Sequence, residues 1–432
     1  MTQSDSFNNP TESTQSAQPA DLRADIHADI LVVGGGPVGT LLSIALAQQD
    51  YQVVMVERFL PEFAKQAGNE KAQTEPRNAF DGRVLALSKG SSDFLQQVSV
   101  WSELEPLTTA IEHVHVSQQG YMGLTTLHAD DLSVPALGYS VQSQDLGKVL
   151  WQKAVAQKNL QIISPAELVS FVDDGDAISA NIQPLDDSNQ LLTISAKLII
   201  GADGTESKVR QQLGLPMQQK SYHAYAVLAQ IETEQHPNGW SFERFTEQGP
   251  VALLPMFGHA HKAVMVCPEE QLAEIQALDD QQYIERFAEK MGERLGCFTK
   301  VSPRIAYPLT ESYAPRMTKG RALLMGNASH TQHPVAAQGL NLGIRDIEQF
   351  LQVLQGKQMT QDPGDLSLLA NYAASREDDH KKVMGMTDSL IQLFQHGSPL
   401  VGHLRGLGLM ALQAMPGLKR RFAKFSMYGR RN

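Results

Sequence analysis

The stretch that most restricts this chain is Ile30-Leu31-Val32-Val33, which passes without a spacer into Gly34-x-Gly36-x-x-Gly39. Four consecutive apolar, largely β-branched residues are too few for a helix and read as a buried parallel strand. The glycine turn leads into a segment whose Leu41, Leu42, Ile44, Ala45 and Leu46 would face a sheet as a helix. A second apolar strand, 53–56, then ends in an acid, Glu57. Gly34 suits the tight turn, Gly36 a close backbone approach to a pyrophosphate, and Gly39 close helix–strand packing. The helix N-terminus offers unpaired N–H groups and a positive dipole end to phosphate, and Glu57 is placed to accept from a ribose hydroxyl. The pattern predicts a dinucleotide-binding βαβ unit, without saying which dinucleotide.

Further along, 61–78 is polar and aperiodic, a loop. Arg83 to Ser88 reads as a strand entering a helix at 89–95, and 114–137 as strands of a different sheet. Ser143 fits an N-cap for a helix carrying Leu146, Val149, Leu150 and Ala154. Strand-like runs at 161–164, 168–172, 178–182 and 191–200 follow, the last opening into Gly201-Ala-Asp203-Gly204. Residues 216–318 are β-rich with a helical segment at 271–295, and a mixed sheet inserted there is the simplest account, a natural substrate platform. Another apolar strand, 322–325, runs into Gly326-Asn327-Ala328, and helices from about 338 complete the chain. No internal repeat and no second G-x-G-x-x-G occurs.

Composition narrows the function classes. With 432 residues there is core for two or three domains, and a net charge of −11 argues against non-specific nucleic-acid binding. Cys267 and Cys297 make no disulfide framework and no C-x-x-C, which fits a reducing, cytoplasmic compartment. Residues 1–27 are polar and read as a disordered tail. Beyond Asp388 there is no acidic residue, while Arg405, Lys419, Arg420, Arg421, Lys424, Arg430 and Arg431 are basic. Leu400, Leu404, Leu407 and Ala411 would share one helical face, weakened by glycines. Two readings fit: an amphipathic segment resting on anionic lipid, or a packed helix with a solvated basic tail. The pairs His113-x-His115 and His259-x-His261 lack a third ligand at metal spacing, and no metal site is expected.

Three separated motifs then agree. Gly34-x-Gly36-x-x-Gly39, Asp203-Gly204-x-x-Ser207-x-Val-Arg210 and Gly326-Asn327-Ala…Pro334-x-x-x-Gln338-Gly339-x-Asn341-x-Gly343 resemble the signatures of FAD-dependent aromatic hydroxylases, the single-component class related to p-hydroxybenzoate hydroxylase. Gly326-Asn327-Ala, Leu342-Gly-Ile-Arg-Asp346 and Tyr372…Arg376…Asp378 look like the ubiquinone-biosynthesis branch. The resemblance implies an α/β fold: a Rossmann-like FAD-binding domain (28–110, 138–215 and 319–395) and an inserted α+β substrate domain of mixed β-sheet (111–137 and 216–318). The helical C-terminus ends in the basic amphipathic segment 396–432.

The resemblance also implies roles. Gly34, Gly36, Pro37 and Gly39 would form the phosphate turn, with Glu57 and Arg58 at the adenosine end. Arg83 would donate to the phosphate or ribityl region, assisted by Gln144. Asp203, Gly204, Gly326 and Asn327 would complete the nucleotide site. Amides of Gly339, Leu340 and Asn341 would stabilise the reduced flavin, and Pro334 would sit over its ring. Asn327 departs from the Asp of most members, keeping an acceptor and losing the charge; Ala337 replaces a common Gly. His330 or His333 could relay a proton, or both could be satisfied loop residues. The implied reaction uses NAD(P)H and O2, through a flavin C4a-hydroperoxide, to hydroxylate a polyprenylated phenol of ubiquinone biosynthesis. Implied partners are the inner membrane face, with the protein cytoplasmic or peripheral there, and other quinone-biosynthesis enzymes. Three alternatives stand beside it: a non-catalytic flavoprotein scaffold, a hydroxylase of a soluble aromatic acid, and a flavin reductase. Pocket length separates the first two substrate classes.

Overall fold

Five strands run parallel in the order Ala322–Leu324, Leu192–Gly201, Ile26–Val33, Val53–Val56 and Leu160–Ile163. The structure, a computed structural model, describes residues 24–61, 83–186, 190–292, 294–331, 338–356, 362–395 and 399–429; at 338, 381–384, 386–395 and 399–400 it describes only the backbone. The first strand starts at Ile26 rather than Ile30. Ile26 and His27 already pair with Ile194 and Ser195, inside the stretch read as tail. Polar–apolar alternation at the sheet margin hid those residues, whereas Ile30 to Val33 lie under helices on one side and strands on the other.

Helix Pro37–Ala47 is buried from Gly39 onward, wedged between the sheet and helices Ser143–Val155 and Gln338–Gly356. That explains its lack of a polar face. The sheet's other side packs on the antiparallel pair Ala166–Asp173 and Ile178–Pro184 and on helix Lys208–Gln212. Helix Ser143–Val155 begins one residue earlier than the cap pattern predicts: Gln142 is the N-cap, and the Ser143 N–H donates to the Arg83 carbonyl at 2.6 Å.

A second sheet runs His330–Thr331, Ile305–Tyr313, Gln218–Thr233, Ala260–Pro268, Gly249–Pro255, Trp240–Thr246, His113–Gln118 and Leu124–His128. The strands foreseen in 114–137 do join a different sheet: His113–Gln118 pairs in parallel with Trp240–Thr246. One face carries a core closed by helices Leu272–Ala277 and Asp280–Met291, with Tyr283 and Phe287 fully buried. The opposite face looks toward a small third sheet and the final helices. Three short strands, Val84–Ser88, Gly138–Gln142 and Thr108–Ile111, form this third sheet, a bridge between the first two. Lys262 fastens it, its Nζ donating to the Val84 carbonyl at 2.6 Å.

Beyond Leu366–Gln395 come helices Pro399–Ala414 and Pro416–Tyr428. The glycines that weakened the helix prediction have a packing cause. A Cβ at Gly402 would lie 2.3 Å from the Tyr121 ring, and one at Gly406 would lie 2.0 Å from the Met122 carbonyl oxygen. The helix therefore docks backbone-close on the turn at 121–123. Gln413 Oε1 secures it by accepting from the Thr126 amide at 2.9 Å. Helix Pro416–Tyr428 buries Ala423 and Met427 against Leu127, Ala129 and Leu137.

Candidate functional site: a nucleotide cradle and an apolar cavity

The carboxyl ends of four neighbouring strands meet in register, with Val33 opposite both Gly201 and Val56, and Gly201 opposite Leu324. Ligands of open parallel sheets sit beyond such ends. The turns that follow are mutually bonded: the Gly34 amide donates to Val56 (2.8 Å), the Ala202 amide to Val33 (2.7 Å) and the Met325 amide to Gly201 (2.9 Å). Gly34 has φ +106°, and a Cβ there would stand 2.4 Å from the Ala202 carbonyl oxygen. A Cβ at Gly39 would stand 1.9 Å from the Gly34 carbonyl oxygen. Both positions accept glycine alone, for the reasons of turn and packing read from the sequence.

Glu57 closes over this turn, Oε2 accepting from the Gly35 amide (2.5 Å) and Oε1 from the Phe59 amide (2.8 Å). Burial pushes its carboxyl up and those amides pull it back. Arg58 points to the surface, 3.4 Å from Glu167. Asp203 Oδ2 accepts from the Lys208 and Val209 amides (2.7 and 3.3 Å). Its Oδ1 is buried with no partner among the described residues, and burial raises this carboxyl too. A buried acceptor facing an unfilled hydrogen-bonding position suits a hydroxyl of a bound nucleotide. Arg210 is structural, its guanidinium donating to the Thr205 carbonyl (2.7 Å) and the Ala328 carbonyl (3.3 Å), which ties the second motif to the third.

Gly326, at φ +58°, opens the third turn; Asn327 is exposed there. Gly339 and Leu340 are half-buried in the first turn of helix Gln338–Gly356. The Asn341 side chain is committed to packing: Oδ1 accepts from the Ser88 amide (2.8 Å) and the Ser91 hydroxyl (2.7 Å), and Nδ2 donates to the Ala86 carbonyl (2.9 Å). It pins the helix start to the bridging strand. Arg83 lies nearby with its guanidinium 5.5 Å from the Tyr307 ring centroid, and Gln144 is exposed. Pro334, His333 and Ala337 lie outside the described residues.

Behind the third turn sits a polar cluster the motifs did not disclose. Asp346, wholly buried, accepts from His330 Nε2 (2.7 Å), His380 Nε2 (3.0 Å), Arg376 Nε (2.8 Å) and the Gly326 amide (3.3 Å). Burial alone would raise this carboxyl, yet Arg376 and the two histidines hold it well below the usual range. Burial and His330 together depress His380 to about 4. The triad has one ligand atom each within metal-binding reach, but Arg376 already supplies the positive charge. The Arg376-x-x-x-His380 spacing along one helix face was the available signal. His330 is sealed in this cluster at 0 % exposure.

Between the second sheet, the short three-stranded sheet and the final helices lies a cavity of about 870 Å³, at the upper end of small-molecule sites. It reaches from Ala86, Ser88 and Asn341 across the second sheet, lined by Val114, Val116, Phe245 and Val266, to Val401, Leu409 and Leu412 under the final helices. One acid, Glu243, is half-buried in that wall. Burial pushes it up to about 7. It stands in the alternation Trp240-Ser-Phe-Glu-Arg-Phe245, where period 2 puts Glu243 and Phe245 on one face; that was the clue.

An FAD binding domain family model matches residues 27–387. The chain is 31 % identical over 410 residues to the ubiquinone hydroxylase UbiL of Rhodospirillum rubrum, covering 95 % of this chain and 91 % of that one. It belongs to the FAD-dependent ubiquinone-hydroxylase family. The family includes the 3-demethoxyubiquinol 3-hydroxylase of Escherichia coli (28 % identical; 92 % of this chain, 98 % of that one) and human ubiquinone biosynthesis monooxygenase COQ6 (26 % identical; 93 % of each). The fold is shared with p-nitrophenol 4-monooxygenase PnpA of Pseudomonas putida, at a TM-score of 0.75 and 16 % identity over 94 % of this chain and all of that one. Family membership makes this chain an FAD-dependent monooxygenase, and the cradle fits that cofactor through Asp203 Oδ1 and the two crowded glycines.

Proposed function

We propose that this protein hydroxylates the aromatic ring of a polyprenylated phenol in ubiquinone biosynthesis, using NAD(P)H and O2. The cavity carries the reading. A lone ring occupies a small part of about 870 Å³, whereas a ring with a prenyl tail fills a channel running from Asn341 to the final helices. A soluble aromatic acid would need a cation for its carboxylate. The buried cation of the lining, Arg405, already has a partner, and the remaining wall is mostly apolar and offers no second buried cation.

Gly34, Gly36, Pro37 and Gly39 with Glu57 would hold the pyrophosphate and adenosine ribose of FAD, and Asp203, Gly204, Gly326 and Asn327 its middle portion. Bound FAD supplies acceptance of hydride from NAD(P)H and activation of O2. The chain's part is to orient the phenol, exclude water through the apolar wall, and offer the 339–341 amides to negative charge. The test is turnover of the FAD-loaded protein with a prenylated phenol under ¹⁸O2. One ¹⁸O atom on the ring is expected; NAD(P)H consumption without label would leave a reductase, and neither would leave a scaffold.

No helix among the described residues is long and apolar enough to cross a membrane. The final helices instead expose Leu404 (58 %), Leu407 (56 %), Met415 (55 %) and Leu418 (48 %) beside exposed Arg420, Arg421 and Lys424. Leu404 also lines the cavity. This apolar and basic face would rest on anionic lipid with the cavity mouth against the acyl chains. Leu404→Gln with Leu407→Gln should lower co-sedimentation with anionic liposomes several-fold; unchanged sedimentation would reject the lipid surface.

A further inference from the structure

The second sheet presents one side to the cavity, and strand register identifies it. Glu243 pairs with Ala252 and with Val116, and Ala252 pairs with Val264, so these four residues point the same way. Two residues along, Leu254 pairs with Lys262, whose ammonium reaches the Val84 carbonyl. Glu243 is therefore one row from the seam where the sheet meets the strand bonded to Asn341. Its two cross-strand neighbours, Ala252 and Val116, are apolar, and Phe245 follows it on the same face of its own strand.

The ionisable groups of the surrounding elements are otherwise engaged or distant in role. Lys262 is bound to the Val84 carbonyl, and Arg405 of the final helices has its own partner. Tyr222 donates to Glu311 at 2.8 Å. His223, Glu247 and Glu270 are exposed at the rim. No hydrogen bond or ion pair to Glu243 exists among the described residues. An unpartnered carboxylate within an apolar wall is unfavourable unless something arrives to use it.

We propose that Glu243 is the general base that accepts the phenolic proton of the substrate. The assignment rests on the ring-hydroxylase reading. As the ring attacks the oxygen atom delivered from O2, the phenol O–H bond breaks and its proton passes to a Glu243 oxygen. The electron pair of that bond stays on the phenol oxygen and enriches the ring carbons ortho and para to it. The ring then regains aromaticity by losing its C–H proton to the second oxygen atom of O2, which leaves as water with the two electrons that NAD(P)H supplied, and Glu243 returns the first proton to the phenol oxygen. Burial places Glu243 near neutrality, about a thousandfold more acidic than a phenol of ordinary pKa ~10. Full transfer before the attack is unfavourable, so the proton moves with it, and the effect belongs in kcat rather than KM.

The experiment uses the FAD-loaded enzyme with 2-geranylphenol, NAD(P)H and ¹⁸O2 as pH varies from 5.5 to 9, as an assay range. Wild-type kcat should rise with pH and level off above about 7. Glu243→Gln should lower kcat on the order of 10²–10⁴-fold with little change in KM and flatten the profile, the range expected of a general base. Glu243→Asp should keep a pH-dependent profile at reduced kcat. Melting temperature and FAD content of Glu243→Gln should equal or exceed wild type. Labelled product from wild type with an unaltered profile and kcat in Glu243→Gln overturns the base and leaves the hydroxylase reading standing. A Glu243→Gln protein that unfolds or sheds FAD makes the acid structural and also overturns it. Absence of labelled product from wild type defeats the hydroxylase reading, and the base with it.

Discussion

Two buried acids, one behind the nucleotide cradle and one in the cavity wall, show how neighbours decide what burial does to a carboxyl. Asp346 is sealed completely, yet Arg376, His330, His380 and the Gly326 amide keep it charged and its carboxyl depressed. Glu243 has apolar cross-strand neighbours and no such partner among the described residues, and its carboxyl rises to about 7. The first region spends its polar groups on one another and gains a fixed geometry. The second leaves a polar group for a visitor. Perturbed groups with no internal partner are where chemistry is to be sought.

The comparison breaks most readily at Asp346. Asp346→Asn would strip His330 and His380 of their shared charged acceptor and leave Arg376 only Asp379, 2.7 Å away, as counter-charge, and should destabilise by about 3 kcal/mol, measured by urea unfolding of the FAD-loaded protein. A depressed carboxyl stabilises above its unfolded pKa and loses that contribution as pH falls toward its folded value, so the Asn variant should differ progressively less from wild type as pH drops below 3.8. A loss under 1 kcal/mol at pH 7 would mean the cluster is not a rigid unit. Gly39→Ala sharpens the cradle's side of the contrast. Its Cβ meets a backbone oxygen at 1.9 Å, which no side chain can relieve by moving. FAD content after gel filtration should fall at least tenfold, about 1.4 kcal/mol in affinity; full yellow protein would contradict the close turn.

Asn341→Ala tests the seam between the regions. It unpairs the Ser88 amide, the Ser91 hydroxyl and the Ala86 carbonyl and should cost about 1–3 kcal/mol. Glu243→Gln should change stability with the opposite sign. A carboxyl raised from 4.5 to about 7 destabilises the fold when charged, so the penalty is absent below pH 4.5, grows between 4.5 and 7, and is complete above 7. The Gln variant should gain about 1–3 kcal/mol at pH 8 and almost nothing at pH 4.5, the upper end following from 1.36 kcal/mol per pKa unit. A loss at pH 8 would show that Glu243 has a structural partner.

Legibility in the sequence followed the same division. The cradle was readable because backbone demands are local: only glycine meets the turn at Gly34, and an apolar strand must precede it. The inserted sheet was visible in outline through period-2 alternation, although parallel pairing of Trp240–Thr246 with His113–Gln118 leaves no local mark. Gly402 and Gly406 were misleading in the opposite sense, lowering the helix expectation when they were the means of docking. Glu243 escaped notice, and Asp346, Arg376 and His330 were read only separately, because their significance depends on what surrounds them in space. Asn341 was assigned through its backbone, whereas its side chain turned out to hold the helix start in place.

The strand register has a consequence for biogenesis. Val33 must find Gly201, and Gly201 must find Leu324, before the three turns converge, so the cradle closes a loop of nearly three hundred residues. Long-range parallel pairing is slow, and a ribosome still short of Met325 holds a nascent chain with nowhere to receive a flavin. Vitamin supply therefore acts as a late ratchet on maturation, trapping chains that have already found their topology rather than guiding them to it.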